Sequence, residues 1–199
     1  MLLEKGQPQR VSGRSLHYSE HNFYALALIA SRVTGKSMPE LFRETLLEGL
    51  GFEFPAFWMH DGLGAYDPGG GLFVTGRDTL RWGSMLLHGG RVDNMQVVSK
   101  QFLDDIKLAG PYCKIDPGSD IYKMLPVGTR YRSGFYVSPT DNPTAPIIAG
   151  VGAFGQWCLI DYKRKNVMVK LSCSLKRKVD SMYSRVREPA GHWQANRAT

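Results

Sequence analysis

One change of period governs what this chain can fold into. Up to about residue 108 its apolar residues recur at helical spacing, whereas "YRSGFYV" (131–137), "GQWCLIDY" (155–162) and "NVMVKLSCS" (166–174) are β-branched and aromatic runs of strand length. The polar "DYKRKN" joins the last two as a hairpin turn, so those strands run antiparallel. Helices first and antiparallel strands later spell an α+β fold, an antiparallel sheet flanked by helices.

Local signals place the helices. Over residues 22–33, Phe23, Leu26, Ile29, Ala30 and Val33 predict one buried face, and Gly35 stops the helix in a left-handed conformation. "SMPE" at 37–40 is a capping box in which Ser37 accepts an N–H and Glu40 reaches back. The helix it opens carries Leu41, Phe42, Thr45 and Leu46 and ends at Gly49 or Gly51. Thr75 or Asp78 caps a third helix that presents Leu80, Trp82, Met85 and Leu86 and is closed by Gly89-Gly90. Ser99 caps a fourth, through Leu108. Residues 109–130 read as loop, 1–14 as an irregular lead-in, and 176–199 as a basic C-terminal helix and tail. Neither a repeat nor a composition shift divides residues 1–199, which are expected to form a single domain.

Composition narrows the function classes. At 43% hydrophobic and 22% charged the chain can bury a core, and no apolar run reaches membrane-spanning length. Three cysteines without ligand spacing read as reduced thiols. With no signal-peptide pattern at its start, the chain as it stands is expected in the cytoplasm. The net charge of +7 sits in "KRK" at 163–165 and 176–178 and in Arg185, Arg187 and Arg197. Without a zinc-finger or RNA-recognition signature, this reads as a solvated face rather than a nucleic-acid site.

Tyr18-Ser19-Glu20 stands directly before the first helix. The bland reading packs Tyr18 on the helix start while Ser19 or Asn22 caps it, and makes Glu20 an acid favoured by the helix dipole. His17 and His21 lack a third ligand, so no metal is expected. "PGGG" at 68–71 lacks the Gly-Lys-Ser/Thr of a phosphate loop. Arg77 and Asp78 read as a cap and a salt bridge. Gln156 is either a substrate-side amide or an edge-strand polar residue, and Tyr136, Phe154 and Trp157 read as core.

Three blocks taken together say more: "HYSEHNFYALALIASRVTGKSMPELFRETLLEGLGF", "GGGLFVTGRDTLRWGSMLLHGGRV" and "GVGAFGQWCLIDYKRKNVMVKLS". In order and spacing they resemble the C-terminal half of the serine β-lactamase and penicillin-binding-protein-like superfamily. Within it they are most similar to class C-like esterases and 6-aminohexanoate-dimer hydrolases. The resemblance spans roughly residues 14–175 and implies a β-lactamase/transpeptidase-like fold, incomplete at the N-terminus. It implies hydrolysis of a small amide or ester through an acyl-serine, with no cofactor. By resemblance, Tyr18 matches the proton-shuttling tyrosine, and Glu20 stands where many relatives have Asn. Gly150-Val151-Gly152 falls where others have Lys-Thr-Gly. The Ala153 N–H becomes an oxyanion donor, and Gly155 and Gln156 join the substrate wall. Gly152 and Gly155 are expected to leave a strand edge bare for substrate.

The superfamily's nucleophile is a Ser-x-x-Lys serine, yet no serine of this sequence has a lysine three residues on. The chain is therefore expected to be the C-terminal part of a longer hydrolase, inactive alone. The competing readings are a truncated gene product and a non-catalytic binding module. Loss of the third-motif lysine, with Glu20 beside Tyr18, tilts the expectation away from carboxylate-bearing β-lactams. Apolar surface left by an absent half is expected to favour self-association.

Overall fold

The structure, a computed structural model, describes residues 16, 18–109, 114–115 and 125–173. The expected lead-in, the basic tail, His17 and Cys113 lie outside the described residues.

Helix α1 spans His21–Thr34 and ends where Gly35 takes φ 69°. Next comes α2 (Met38–Phe42) behind the expected capping box, in which the Ser37 hydroxyl accepts from the Glu40 N–H and Glu40 accepts from the Ser37 N–H. The helix then widens into a π-helical turn at Arg43–Leu47, where the Thr45 hydroxyl donates back to the Leu41 carbonyl at 2.6 Å. It closes as α3 (Glu48–Leu50), with Gly51, not Gly49, as the left-handed stop.

Two short strands, β1 (Phe57–Trp58) and β2 (Leu72–Phe73), pair ahead of α4 (Gly76–Leu87). Thr75 caps α4 by accepting from the Asp78 N–H at 3.1 Å while its hydroxyl donates to the Asp78 carboxylate at 2.7 Å. Burial pulls the Asp78 pKa up, but the Glu53 N–H, Thr75 and Arg81 together hold this carboxyl below its ordinary value. Arg77 bonds Glu53, as the expected salt bridge required. Leu80 is exposed, contrary to expectation, because the buried stripe of α4 runs through Asp78, Trp82, Met85 and Leu86 and leaves Leu80 on the far side. The hairpin β3 (Arg91–Val92)–β4 (Met95–Gln96) leads into α5 (Lys100–Leu108), capped by Ser99 as expected.

The main sheet is a five-strand antiparallel meander, β5 (Arg130–Arg132), β6 (Phe135–Ser138), β7 (Ile147–Val151), β8 (Trp157–Asp161) and β9 (Asn166–Lys170), paired in chain order. "YRSGFYV" is thus two strands rather than one, because Ser133 and Gly134 both take positive φ and turn the chain back. Period two divides the core. Phe135, Val137, Ile148, Cys158 and Ile160 face α4 and α5, while Tyr136, Ala149, Trp157 and Leu159 face the other way with Tyr131, Ile115 and Leu16. β7 is an inner strand, not an edge. Its pairing with β6 nevertheless stops at Tyr136↔Ala149, while pairing with β8 continues to Val151↔Trp157.

The helix α1 overturns an expectation. None of its residues is buried, and Leu26, Ile29 and Val33 are 63%, 58% and 80% exposed. Phe23 and Ala30 of the expected stripe are half-buried, Phe23 against Tyr18 at 6.1 Å, while Leu26, Ile29 and Val33 stand open. No helix among the described residues is long and apolar enough to cross a membrane.

Candidate functional site

Tyr18 packs its ring on Phe23 of the helix behind it and keeps its hydroxyl free of that helix. Glu20 occupies the N-cap of α1 with no side-chain cap bond, and the Ser19 hydroxyl instead meets His21 Nδ1 at 3.1 Å. Neither Ser19 nor Asn22 caps the helix with its side chain, but Tyr18 packs on the helix start against Phe23 at 6.1 Å and Glu20 stands at the helix N-terminus, so the bland account of this tripeptide holds except for the cap. Tyr18 is 44% exposed and its ring sits edge-on to Tyr131 at 6.3 Å. Its hydroxyl makes no hydrogen bond among the described residues. Partial burial, then the charge of Glu20, push its pKa above the ordinary tyrosine value.

An aromatic chain links Tyr18 to the sheet. Tyr131 meets Tyr136 at 5.0 Å, and Tyr136 stands opposite Ala149, the neighbour of Gly150. Burial, then Tyr136 and Tyr18, raise the Tyr131 pKa strongly, so it is a neutral wall. Tyr18, Phe23, Leu26, Phe102 and Tyr131 line a groove of about 460 Å³ that also reaches Ser133 and Gly134. On the other flank, Tyr24 donates to Asp67 at 2.7 Å, and the Gly69 N–H bonds the same carboxylate oxygen at 2.9 Å. These bonds hold the Asp67 pKa below its ordinary value, the Tyr24 bond most of all. A Cβ on Gly69 would lie 3.7 Å from that of Glu20, so "PGGG" packs beside the Tyr18-Ser19-Glu20 segment.

The second group of expected residues forms the β7–β8 connection. Gly150 and Val151 end β7, and the chain turns through a single 3₁₀ turn at Ala153–Gly155, closed by the Gly152 N–H on the Gln156 carbonyl at 2.8 Å. Phe154 (φ 58°) and Gly155 (φ 84°) are both left-handed. That is costly for Phe154, which is also 55% exposed rather than in the core as expected. Tyr136 and Trp157 are core, as read. The Ala153 N–H opens the turn and has no acceptor within it. Gln156 commits both ends of its amide to Ser172: Oε1 accepts the Ser172 N–H at 3.1 Å, and Nε2 donates to the Ser172 carbonyl. The side chain thereby extends the β8–β9 ladder past Trp157↔Lys170 and pins the turn. Tyr18 lies at the groove and Glu20 outside its lining, beside Gly69, whereas Gly150, Val151, Gly152, Ala153, Gly155 and Gln156 lie at the β7–β8 turn. The Tyr131–Tyr136 pair connects the two groups. Sequence reading missed Tyr131 because a hairpin strand hid inside an apparent single run. No three metal-ligating side chains converge among the described residues.

A family model described as Beta-lactamase matches residues 2–189. A 6-aminohexanoate-dimer hydrolase from Paenarthrobacter ureafaciens is 30% identical over 155 residues, covering 78% of this chain and 38% of that protein. Among solved structures, a Bacillus anthracis protein provisionally described as a 6-aminohexanoate-dimer hydrolase superposes with a TM-score of 0.76 at 26% identity, over 91% of this chain and 44% of its own. A Bacteroides dorei protein provisionally described as a β-lactamase gives 0.61 at 21% identity, over 80% of this chain and 52% of its own, a likeness of fold. The chain therefore spans well under two thirds of the length of these relatives.

Proposed function

The chain belongs to the β-lactamase family, and from that premise we propose that it carries the proton-shuttle and oxyanion side of a serine hydrolase that cleaves a small amide or ester through an acyl-serine. The reading is carried by Tyr18, a tyrosine whose hydroxyl makes no hydrogen bond among the described residues, at an aromatic groove and joined through Tyr131 and Tyr136 to β7 beside Gly150. In this reading Tyr18 relays a proton between the attacking serine and the leaving group. The Ala153 N–H stabilises the oxyanion, which carries full charge only in the tetrahedral intermediate. Gly150, Val151, Gly152 and Gly155 let an extended substrate lie close to the backbone, Gln156 fixes the turn, and Glu20 sets the charge beside Tyr18.

A raised Tyr18 pKa suits a relay only when a cation lowers it at the moment of reaction. That cation is the lysine of Ser-x-x-Lys, which this sequence does not contain. The site is then completed by a segment bearing that motif, and the chain alone is inactive. The relatives are named for hydrolysis of a 6-aminohexanoate dimer, which supports an amide as the substrate class. The test supplies a Ser-x-x-Lys-bearing segment from a relative, fused or in trans. The completed protein should hydrolyse p-nitrophenyl esters and take a covalent fluorophosphonate label, and Tyr18→Phe should lower turnover by about 10²–10⁴-fold. An inert completed protein, or a Tyr18→Phe variant that turns over normally, would overturn the reading.

Absence of Ser-x-x-Lys also favours a second reading, a non-catalytic module that binds a peptide or small molecule in the same groove. It requires the 199-residue chain to unfold cooperatively as a monomer that binds no hydrophobic dye. Obligate self-association would remove it.

A further inference from the structure

Tyr18 stands just before α1, yet packing does little to fix where that helix lies. None of its residues is buried, and Leu26, Ile29 and Val33 are open. Among the described residues, one side-chain hydrogen bond ties α1 to another part of the fold: the Tyr24 hydroxyl donates to Asp67 Oδ1 at 2.7 Å. The other side-chain bonds of α1 stay local, His21 with Ser19 and Thr34 with the Ala30 carbonyl. Tyr24 lies in the first turn of α1, the turn next to Tyr18.

Asp67 is itself firmly held. Its N–H donates to the Met59 carbonyl at 3.1 Å, and its carbonyl accepts from Trp58 Nε1 at 2.6 Å and from the Gly71 N–H at 3.1 Å. The oxygen that Tyr24 reaches also accepts from the Gly69 N–H at 2.9 Å. Trp58 stands edge-on to Phe42 at 5.4 Å, which braces β1 against α2. A Cβ on Gly71 would come 2.9 Å from that of Asp67, so the chain closes tightly around this acid. The braced segment continues through β2 into α4, which packs on β8 and β9. The start of α1 is therefore fixed to the sheet on one side through Asp67, and on the other by the Tyr18 ring against Tyr131 at 6.3 Å.

We propose that Tyr24 and Asp67 are positioning residues of this site, their hydrogen bond setting the start of α1 so that the Tyr18 hydroxyl meets the reacting groups. This rests on reading Tyr18 as the proton relay, and both residues act through it rather than on the substrate. A relay has to stay within hydrogen-bond reach of both groups it serves, so a small swing of α1 costs turnover more than binding. The charged acceptor makes this a stronger tie than a neutral pair would be.

Two measurements test it. In the isotope-labelled full chain, Tyr24→Phe removes one oxygen and with it the bond to Asp67. The Overhauser signals between the Tyr18 and Tyr131 rings should weaken, while those between Tyr131 and Tyr136 persist; unchanged Tyr18–Tyr131 signals would overturn the proposal. In the protein completed by a Ser-x-x-Lys-bearing segment, Tyr24→Phe should lower kcat by about tenfold or more and leave KM within about twofold. Asp67→Ala should lower it likewise, and Asp67→Asn, which still accepts from both donors, should recover most of the loss. In a Tyr18→Phe background, Tyr24→Phe should cost nothing further. The same fold-loss there would mean that Tyr24 supports the fold at large, and would also overturn the proposal. The two readings fail separately. Impaired turnover in Tyr18→Phe with normal turnover in Tyr24→Phe sinks the positioning role alone. Normal turnover in Tyr18→Phe, or an inert completed protein, sinks the relay and the positioning role with it, and weakened ring signals then leave a structural tie.

Discussion

At Gly83 the helix α4 comes closest to the sheet. A Cβ there would stand 2.5 Å from Val167 Cγ1 and 3.2 Å from Cys158 Sγ, so the missing side chain sets the helix–sheet distance. Gly83→Ala is expected to gain helix propensity and still lose stability, by about 1–3 kcal/mol, because two rigid layers must separate. Urea unfolding checks it; an unchanged or higher midpoint would show that the layers can give. Asp78 works by the opposite device, a full side chain in a buried place. Its carboxylate accepts from the Glu53 N–H at 2.8 Å and from Thr75, and pairs with Arg81 at 3.2 Å, tying the segment after α3 to the start of α4. Asp78→Ala leaves the Glu53 N–H and the Thr75 hydroxyl without acceptors and should cost about 1–3 kcal/mol in the same measurement. Its stabilising role is the one its place at a helix start suggested.

Among elements, α1 has the sequence of a core helix and the surroundings of a surface one. Replacing Leu26, Ile29 and Val33 together with serine should leave the unfolding midpoint nearly unchanged, within about 0.5 kcal/mol per site, and should abolish hydrophobic-dye binding and any self-association. A large loss of stability would mean that the stripe is covered within the chain. This element also marks what can be read from sequence. Caps at Ser37, Thr75 and Ser99 and stops at Gly35 and Gly51 were legible because their partners lie within a few residues. Burial of α1 was not, since a periodic stripe states which side is apolar and never what lies against it. β5 and β6 were merged because one Ser-Gly turn interrupts an otherwise continuous run. β7 was placed only through its glycines, since "PIIAGV" is an apolar run that period alone cannot assign. Tyr18 and Ala153 stood out through the ordered blocks.

Across the whole molecule, the folded state shifts acids and weakly acidic groups in opposite directions, and this bounds the pH range in which it is stable. Glu40, Glu53, Asp61, Asp67, Asp78, Asp104 and Asp141 are all held below their ordinary pKa values by hydrogen bonds and cations, with Asp104 drawn to about 2 by Lys100 and Lys107. A lowered carboxyl pKa means the unfolded chain takes up protons first, so these contributions are complete above about pH 4.5 and are lost as pH falls toward 2. The net charge of +7 adds repulsion as those carboxylates neutralise. On the alkaline side burial pushes the Cys158 thiol from 9.0 to about 12 and the Tyr162 hydroxyl from 10.0 to about 12, and raises Tyr131 further. There the unfolded chain loses its protons first, so stability is full below about pH 9 and falls through the interval up to 12. The melting temperature should therefore be flat between about pH 5 and 8 and decline on both sides. Cys158→Ala separates the causes. It should lower the melting temperature at pH 7, because a buried side chain beside Gly83 is shortened, and it should also partly flatten the decline between pH 9 and 10, where the unfolded thiol ionises ahead of the tyrosines. The measurement is the slope rather than the height. A variant with the parent's slope over that interval would show that the buried thiol does not set the alkaline limit.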